Sequence, residues 1–333
     1  MVELFNRKAM APSSRINNLH PSQHQHAAQF ERQGDWLSML RSRKQDMVAK
    51  GIKGWDLMEA MTTLTLNYKD SISQHRCQKC WLDPIKCICS RLSKLLVDNT
   101  ATLDDKFSVK LLVLMHSKEY LDAGNSAKLL RMVLPNYLVE YYIFGKIGDV
   151  HRLAQEMSVD LTNTMILWPD KNALSVSQFL EQQSTICGDD MIRPSGEENN
   201  QKPLIRTVVL DGTYTQARNM HNSLRKRLLD QPLPVAVQLR PTVSSVFHRA
   251  QKNYGQAHQQ QSTEVSELAQ RVSTAEACGL LLTELGAPPK IQETITQAVT
   301  INNEALGHAC GKNCSEKESD VGQCLLNKNL EVG

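Results

Sequence analysis

The segment IRTVVLDGTY, Ile205–Tyr214, is a short apolar run rich in β-branched residues that stops on Asp211 and Gly212. A run this short, bounded by a turn glycine, predicts a buried strand rather than a helix. Helical spacing follows at once, over Gln216–Leu229, so the chain passes from strand to helix at Asp211. Working outward, the same alternation recurs. Val109–Met115 (VKLLVLM), Leu138–Phe144, Thr164–Trp168 and Pro234–Leu239 read as strands. Asn125–Leu134, closed by Pro135, reads as a helix, as do Val150–Met157, Ser175–Gln183 and Ser273–Leu285. Strands alternating with helices predict an α/β domain with a largely parallel sheet over residues 105–290.

The flanks are of a different kind. Residues 1–35 are crowded with Asn, Gln, Ser, Pro and His and read as a disordered polar tail; His20, His24 and His26 are solvated members of it. Residues 36–75 turn amphipathic (WLSMLRSR…WDLMEAMTTL) and predict a helical extension broken between Gly51 and Gly54. Within the α/β domain, Cys187–Lys202 is a polar loop and His248–Gln270 a Gln-rich insertion. A C-terminal helix over 291–308 precedes a disordered tail over 309–333.

The whole chain has 333 residues, with Lys+Arg 38 against Asp+Glu 35. A net charge of +3 excludes a histone-like binder but allows local basic patches. No apolar run approaches a membrane span, and MVELFNRKAM has no apolar core of a secretory signal. A cytoplasmic protein with no membrane partner is expected. Composition says nothing of oligomeric state.

Nine cysteines in such a chain read as thiols or metal ligands rather than bridges. Four fall in residues 76–95 as Cys77-x2-Cys80 and Cys87-x-Cys89, with six residues between the pairs. Two short Cys pairs on facing loops supply the four soft ligands that Zn²⁺ takes in a structural site, and four Cys leave no position for a catalytic water. A redox C-x-x-C or ordinary buried thiols are the alternatives, but a redox motif does not explain the second pair. Pro84 suits the intervening turn, and Lys79 and Lys86 offset the charge of a tetrathiolate. Cys310, Cys314 and Cys324 read as free thiols in a polar tail, and Cys187 and Cys278 as isolated ones.

Ligands of open α/β sheets bind outside the carboxyl ends of the strands. Asp211 stands at such an end, with Gly212 for close approach, Thr213 for a hydroxyl and Tyr214 for a stacking face. An Asp/Thr helix cap with a turn glycine explains the same residues. His116 follows the Val109–Met115 strand on the same edge, and Gly124-Asn125-Ser126 either lines a pocket or caps the next helix.

Four segments in succession carry a family resemblance: Cys77-x2-Cys80-x6-Cys87-x-Cys89, then VKLLVLMHSKEYLDAGNSAKLL from Val109, VVLDGTYTQARNM from Val208, and STAEACGLLL from Ser273. Together, over residues 75–290, they resemble the DTW-domain family of tRNA-uridine aminocarboxypropyltransferases. The resemblance implies a SPOUT-like fold, whose knot comes from this likeness alone, since periodicity does not predict knots. It implies S-adenosylmethionine as co-substrate, tRNA as partner, and transfer of a 3-amino-3-carboxypropyl group to uridine N3. The family's Asp-x-Thr-Trp signature falls on Asp211, Gly212, Thr213 and Tyr214, with Tyr in place of Trp.

On that footing Asp211 is the candidate base for the N3 proton. Gly212, Thr213, Tyr214, Ser273, Thr274 and Glu276 are candidates for binding the co-substrate. The last three begin a helix, where free N–H groups bind anions and where a Ser/Thr–Glu capping arrangement explains them equally. Arg218, Arg225, Lys226 and Arg227 on the helix after Asp211 are candidate phosphate contacts, joined by Arg240, Arg249 and Lys252 downstream and by Arg76, Lys79, Lys86, Arg91 and Lys94 around the cysteines. Two other functions suit the same residues: a methyltransferase using the same donor, and a non-catalytic zinc-stabilised RNA-binding protein.

Overall fold

The computed structural model describes residues 21–96, 108–186, 203–228, 232–239, 245–246 and 272–307. Expectations for residues 1–20, the loop over 187–202, the Gln-rich insertion, the segment 309–333 with Cys310, Cys314 and Cys324, and Arg240, Arg249 and Lys252 lie outside them. The chain divides into two compact units, Met1–Leu64 and Thr65–Gly333.

The first unit holds helix α1 (Pro21–Ala49) and the start of α2 (Gly54–Ile72). Between them Gly51 and Gly54 take φ of 80° and 61°, which glycine adopts without the Cβ penalty. The predicted break is therefore real. The polar tail, however, ends sooner than expected, because α1 begins at Pro21 and not near Trp36. Pro suits the first helical position, and the Ala, Gln, Glu and Arg that follow are good helix formers even without an apolar stripe.

The second unit is built on a five-stranded, all-parallel sheet: β1 (Ser108–His116), β2 (Val139–Phe144), β3 (Thr164–Leu167), β4 (Leu204–Asp211) and β5 (Val235–Val237), in the order β2-β1-β4-β3-β5. The strands fall where the alternation predicted them. In the central pair, β1 and β4 run in register from Ser108↔Leu204 to Met115↔Asp211. Both faces of β1 are buried, which is why its sequence is continuously apolar rather than alternating.

One face carries Leu111, Val113, Met115, Ile205 and Val209. It packs against α4 (Lys128–Val133), α6 (Val176–Ile186), α8 (Thr274–Glu284) and α9 (Pro289–Ala305). The cysteine segment, with the short helix α3 (Cys89–Leu92), joins this layer through Cys80, Leu82, Ile88 and Leu92. The opposite face presents Leu112, Leu114, Tyr142 and Val208 to α5 (Asp149–Ser158) and α7 (Tyr214–Arg227). The described residues show the parallel sheet flanked by helices; they do not show the knot.

Strand order places the chemistry. From β1 the chain moves outward to β2, whereas β4 lies on the other side of β1, so β1 and β4 flank a switch point. At such a point the connecting segments diverge and leave a crevice at the carboxyl ends. His116 and Asp211 close the two strands there. No helix among the described residues is long and apolar enough to cross a membrane.

Candidate active site and metal centre

Asp211 alternates in register with Ile205 and Val209, so its side chain points into the α4/α8 layer, and only 3% of it is exposed. There the Asn125 amide donates to its Oδ2 at 2.6 Å, and the Thr274 side chain supplies a second hydrogen bond. Burial raises the carboxyl's pKa, Thr274 and Asn125 pull it back, and the charge of Asp122 adds to the rise. The net direction is up, so the buried carboxyl holds a proton more readily than an exposed aspartate does.

Three separate segments meet at this carboxylate. Asn125 is fixed by its own Oδ1, which accepts from the N–H of Lys128, the first residue of α4, at 3.0 Å. Ser126 Oγ accepts from the Ala275 N–H at 3.4 Å, tying the α4 loop to the start of α8. Gly212 follows Asp211 under tight contact: a Cβ there would lie 2.9 Å from Gln216 Oε1 and 3.4 Å from His116 Cβ. The space a Cβ would take is occupied by the Gln216 side chain, whereas the approach to β1 at His116 is ordinary van der Waals contact.

Both helix starts carry complete capping boxes. Thr213 Oγ1 accepts from the Gln216 N–H, and Gln216 Oε1 from the Thr213 N–H. Ser273 and Glu276 do the same for α8. Glu276 is used further. Its two oxygens accept from Ser245 Oγ at 2.6 Å and the Val246 N–H at 2.7 Å, so it anchors that segment to α8. The hydroxyls of Thr213 and Ser273 and the Glu276 carboxylate thus have protein partners, while Thr274 faces Asp211. The cap reading holds at both helix starts.

Tyr214 is 56% exposed and lies nearly parallel to Trp168, at the end of β3, with ring centroids 6.0 Å apart. Trp168 also stacks on His221 at 4.7 Å, and the Arg218 guanidinium sits 5.9 Å from the Tyr214 ring centre. Arg218 is near the crevice. Arg225, Lys226 and Arg227 are exposed at the far end of α7, about 10–14 Å beyond Arg218 along the helix at about 1.5 Å per residue. The structure does not bring these four cations to one point.

Sequence reasoning missed Glu119 and Lys69. Glu119 lies in the loop after β1, where burial first, and then the charges of Asp211 and Asp122, push its carboxyl up to about 7. Lys69, on α2, donates to the carbonyls of Lys118 and Tyr120 and holds that loop in place. His116 is kept neutral, its pKa lowered to about 4 by burial and by Lys118 and Lys69, and its Nδ1 accepts from the Lys118 N–H. Charged residues just past an apolar strand (HSKEY) are the one signal that pointed to this loop.

The four cysteines of the motif converge. Their Sγ atoms all lie within 4.8 Å of one another, with Cys77–Cys89 at 3.5 Å and Cys80–Cys87 at 3.7 Å. A tetrahedral zinc with Zn–S near 2.3 Å requires about 3.8 Å between sulfurs, a spacing that the two measured pairs approach and the cluster as a whole can close to. Burial raises the Cys77 thiol, but the N–H groups of Cys80 and Lys79 outweigh it and bring it to about 6. Those donors are the ones a metal-bound thiolate uses.

The sequence matches the DTW domain over residues 74–304. The chain belongs to the DTW-domain family. No curated protein and no solved structure matches it. The DTW match takes in both the cysteine cluster and the Asp211 crevice, and it makes a tRNA-modifying enzyme the general class to which this architecture is linked. Within the DTW region, the three segments that meet at Asp211 are those beginning near Asn125, Val208 and Ser273.

Proposed function

We propose that this protein transfers the 3-amino-3-carboxypropyl group of S-adenosylmethionine to N3 of a uridine in tRNA, on a SPOUT-like fold stabilised by zinc at Cys77, Cys80, Cys87 and Cys89. The observation that carries the reading is the buried Asp211 carboxylate, hydrogen-bonded by Asn125 and Thr274 at the β1/β4 crevice. A buried acid with raised pKa at a strand-end crevice suits proton abstraction.

The sulfonium donor supplies an electrophilic carbon and leaves as a neutral thioether. The protein's part is to remove the N3 proton, orient the reacting atoms and exclude water. Asp211 accepts the N3 proton as N3 bonds to the propyl carbon and the carbon–sulfur bond breaks, its electron pair staying on sulfur. Asn125 and Thr274 hold the carboxylate in place. Gly212 and the α8 start at Ser273–Glu276 shape the wall beside it. Tyr214, backed by Trp168 and Arg218, offers an exposed ring on which a base can stack.

Unmodified tRNA incubated with the protein and donor, then digested and weighed as nucleosides, tests this reading. The expected product is a uridine heavier by the aminocarboxypropyl group, and Asp211→Asn lowers its rate by about 100-fold or more while the fold is kept. A methyl mass would replace the reading with a methyltransferase. Bound tRNA with no product would leave a binding protein.

A further inference from the structure

A cavity of about 900 Å³ lies on the β1/β2 side of the Asp211 crevice: Met115, the register partner of Asp211, lines it, whereas Asp211, Asn125, Thr274 and Glu276 do not. Its walls come from the cysteine segment (Lys79, Trp81), from α4 (Lys128, Arg131), and from β2 and the turn after it (Tyr141, Lys146). We propose that this cavity binds an unpaired nucleotide of the RNA substrate, with its phosphate among Arg131, Lys146 and Lys79 and its base against Trp81. The proposal rests on the reading of the chain as an RNA-modifying enzyme and adds a second point of contact to it.

Charge is the first argument. Five cations line the cavity: Lys79, Lys128, Arg131, Lys146 and Arg152. The single lining carboxylate, Asp149, is engaged by Arg152 at 2.9 Å and by the Ile143 N–H at 2.9 Å. Among the described residues the other four cations form no ion pair. Lys128 feels the charges of Cys80, Asp122 and Cys77, and Lys79 borders the thiols, so Arg131 and Lys146 are the cations that an entering anion meets with no counter-charge among the described ion pairs. Arg131 and Lys146 are exposed and reach it at little desolvation cost.

The aromatic walls narrow the ligand. The Arg131 guanidinium lies 4.5 Å from the Tyr141 ring centre, and the Lys128 ammonium 5.7 Å from that of Trp81. Tyr120 meets Trp81 edge-on at 5.8 Å. Flat rings and a flat guanidinium beside free positive charge accommodate a base joined to a phosphate, the combination by which proteins hold unstacked nucleotides.

Trp81 is held there by the cysteine loop. It takes φ of 60°, a left-handed conformation that bulky side chains rarely adopt, while its N–H donates to the Cys77 carbonyl at 2.8 Å. Cys77 in turn donates to the Leu82 carbonyl at 2.9 Å. The loop that gathers the thiols therefore also sets the ring against the cavity, which gives the metal module a part in gripping RNA beyond stability.

The test is a binding titration of the full-length protein with unmodified tRNA at several salt concentrations, comparing wild type with the double variant Arg131→Ala/Lys146→Ala. Both side chains are exposed, so thermal stability and metal content should match wild type. The variant should bind tRNA about 10-fold more weakly, with a log K against log salt slope shallower by about 1 to 2. Ultraviolet crosslinking should attach RNA to the peptide containing Trp81. Unchanged affinity and slope in a protein that does bind tRNA would overturn the cavity assignment alone. Absence of tRNA binding by wild type would overturn the RNA reading, and the proposal with it. Should uridine monophosphate bind wild type but not the variant while tRNA binding is equal, the cavity serves a free nucleotide, and the RNA assignment fails.

Discussion

Glu119 shows how far one side chain's behaviour is set by residues distant in the chain. Burial, then Asp211 and Asp122, raise it to about 7, with Lys69 and Asn125 opposing. Its folded pKa thus exceeds the usual 4.5, and the folded protein holds this proton more tightly than the unfolded chain. The stability that the neutral acid contributes is full below about pH 4.5. It declines as pH rises towards 7 and stays lost above it. Glu119→Gln removes this dependence. Urea midpoints at pH 5 and pH 8 should differ less in the variant than in wild type; an equal difference would mean that Glu119 does not titrate in this window. Asp211 was legible in the sequence because a strand-end acid before a helix is a local pattern. Glu119 was not, because its environment requires Lys69 on α2 to reach carbonyls 49 and 51 residues onward. No periodicity encodes that return.

Among the elements, the cysteine segment is the clearest case of local sequence dictating local structure. Asp83 Oδ1 accepts from the Ile85 N–H, and Pro84 opens a single 3-10 turn that brings Cys87 back to Cys80. Spacing alone predicted that meeting. What spacing did not reveal is that the module is also core: Cys80 and Ile88 are buried against the layer formed by α4, α8 and α9. Cys80→Ser should therefore do two things. Metal content, measured by mass spectrometry, should fall from about one ion per chain to near zero, and the melting temperature should fall with it, because metal binding to such a site contributes to folding. A variant that keeps both its metal and its melting temperature would show that these thiols do not form the ligand set. The capping boxes teach the converse lesson. Ser273 and Glu276 read equally as cap or as ligand, and the structure uses them as a cap beside Thr274 and Asp211. Element bounds followed the same logic at α1, where good helix formers extended the helix to Pro21 against a polar composition.

At the scale of the whole second unit, the sheet must transmit order between two helical layers that do not share side chains. Leu114 faces α5 and α7, whereas Leu281, on α8, packs on the other side with Met115 and Val209. Both are fully buried. The α/β alternation was enough to predict that both sides would be covered, since a continuously apolar β1 has no solvent face. It could not say which helix covers which side, because that depends on strand order, and β4 inserts beside β1 only once the chain has passed through β2 and β3. If the two layers form one cooperative unit, Leu114→Ala and Leu281→Ala should each cost about 2–5 kcal/mol. Sharing no partners, the two changes should add to within about 0.5 kcal/mol. Denaturant curves followed by far-ultraviolet dichroism and by tryptophan fluorescence should coincide in both single variants. Separate transitions in Leu281→Ala, with the α5/α7 side still ordered, would mean that the layer carrying the cysteine module, the Asp211 partners and the cationic cavity can open by itself. Substrate could then enter through that opening. Coincident curves would instead show that the crevice and the cavity belong to one cooperative frame built on β1.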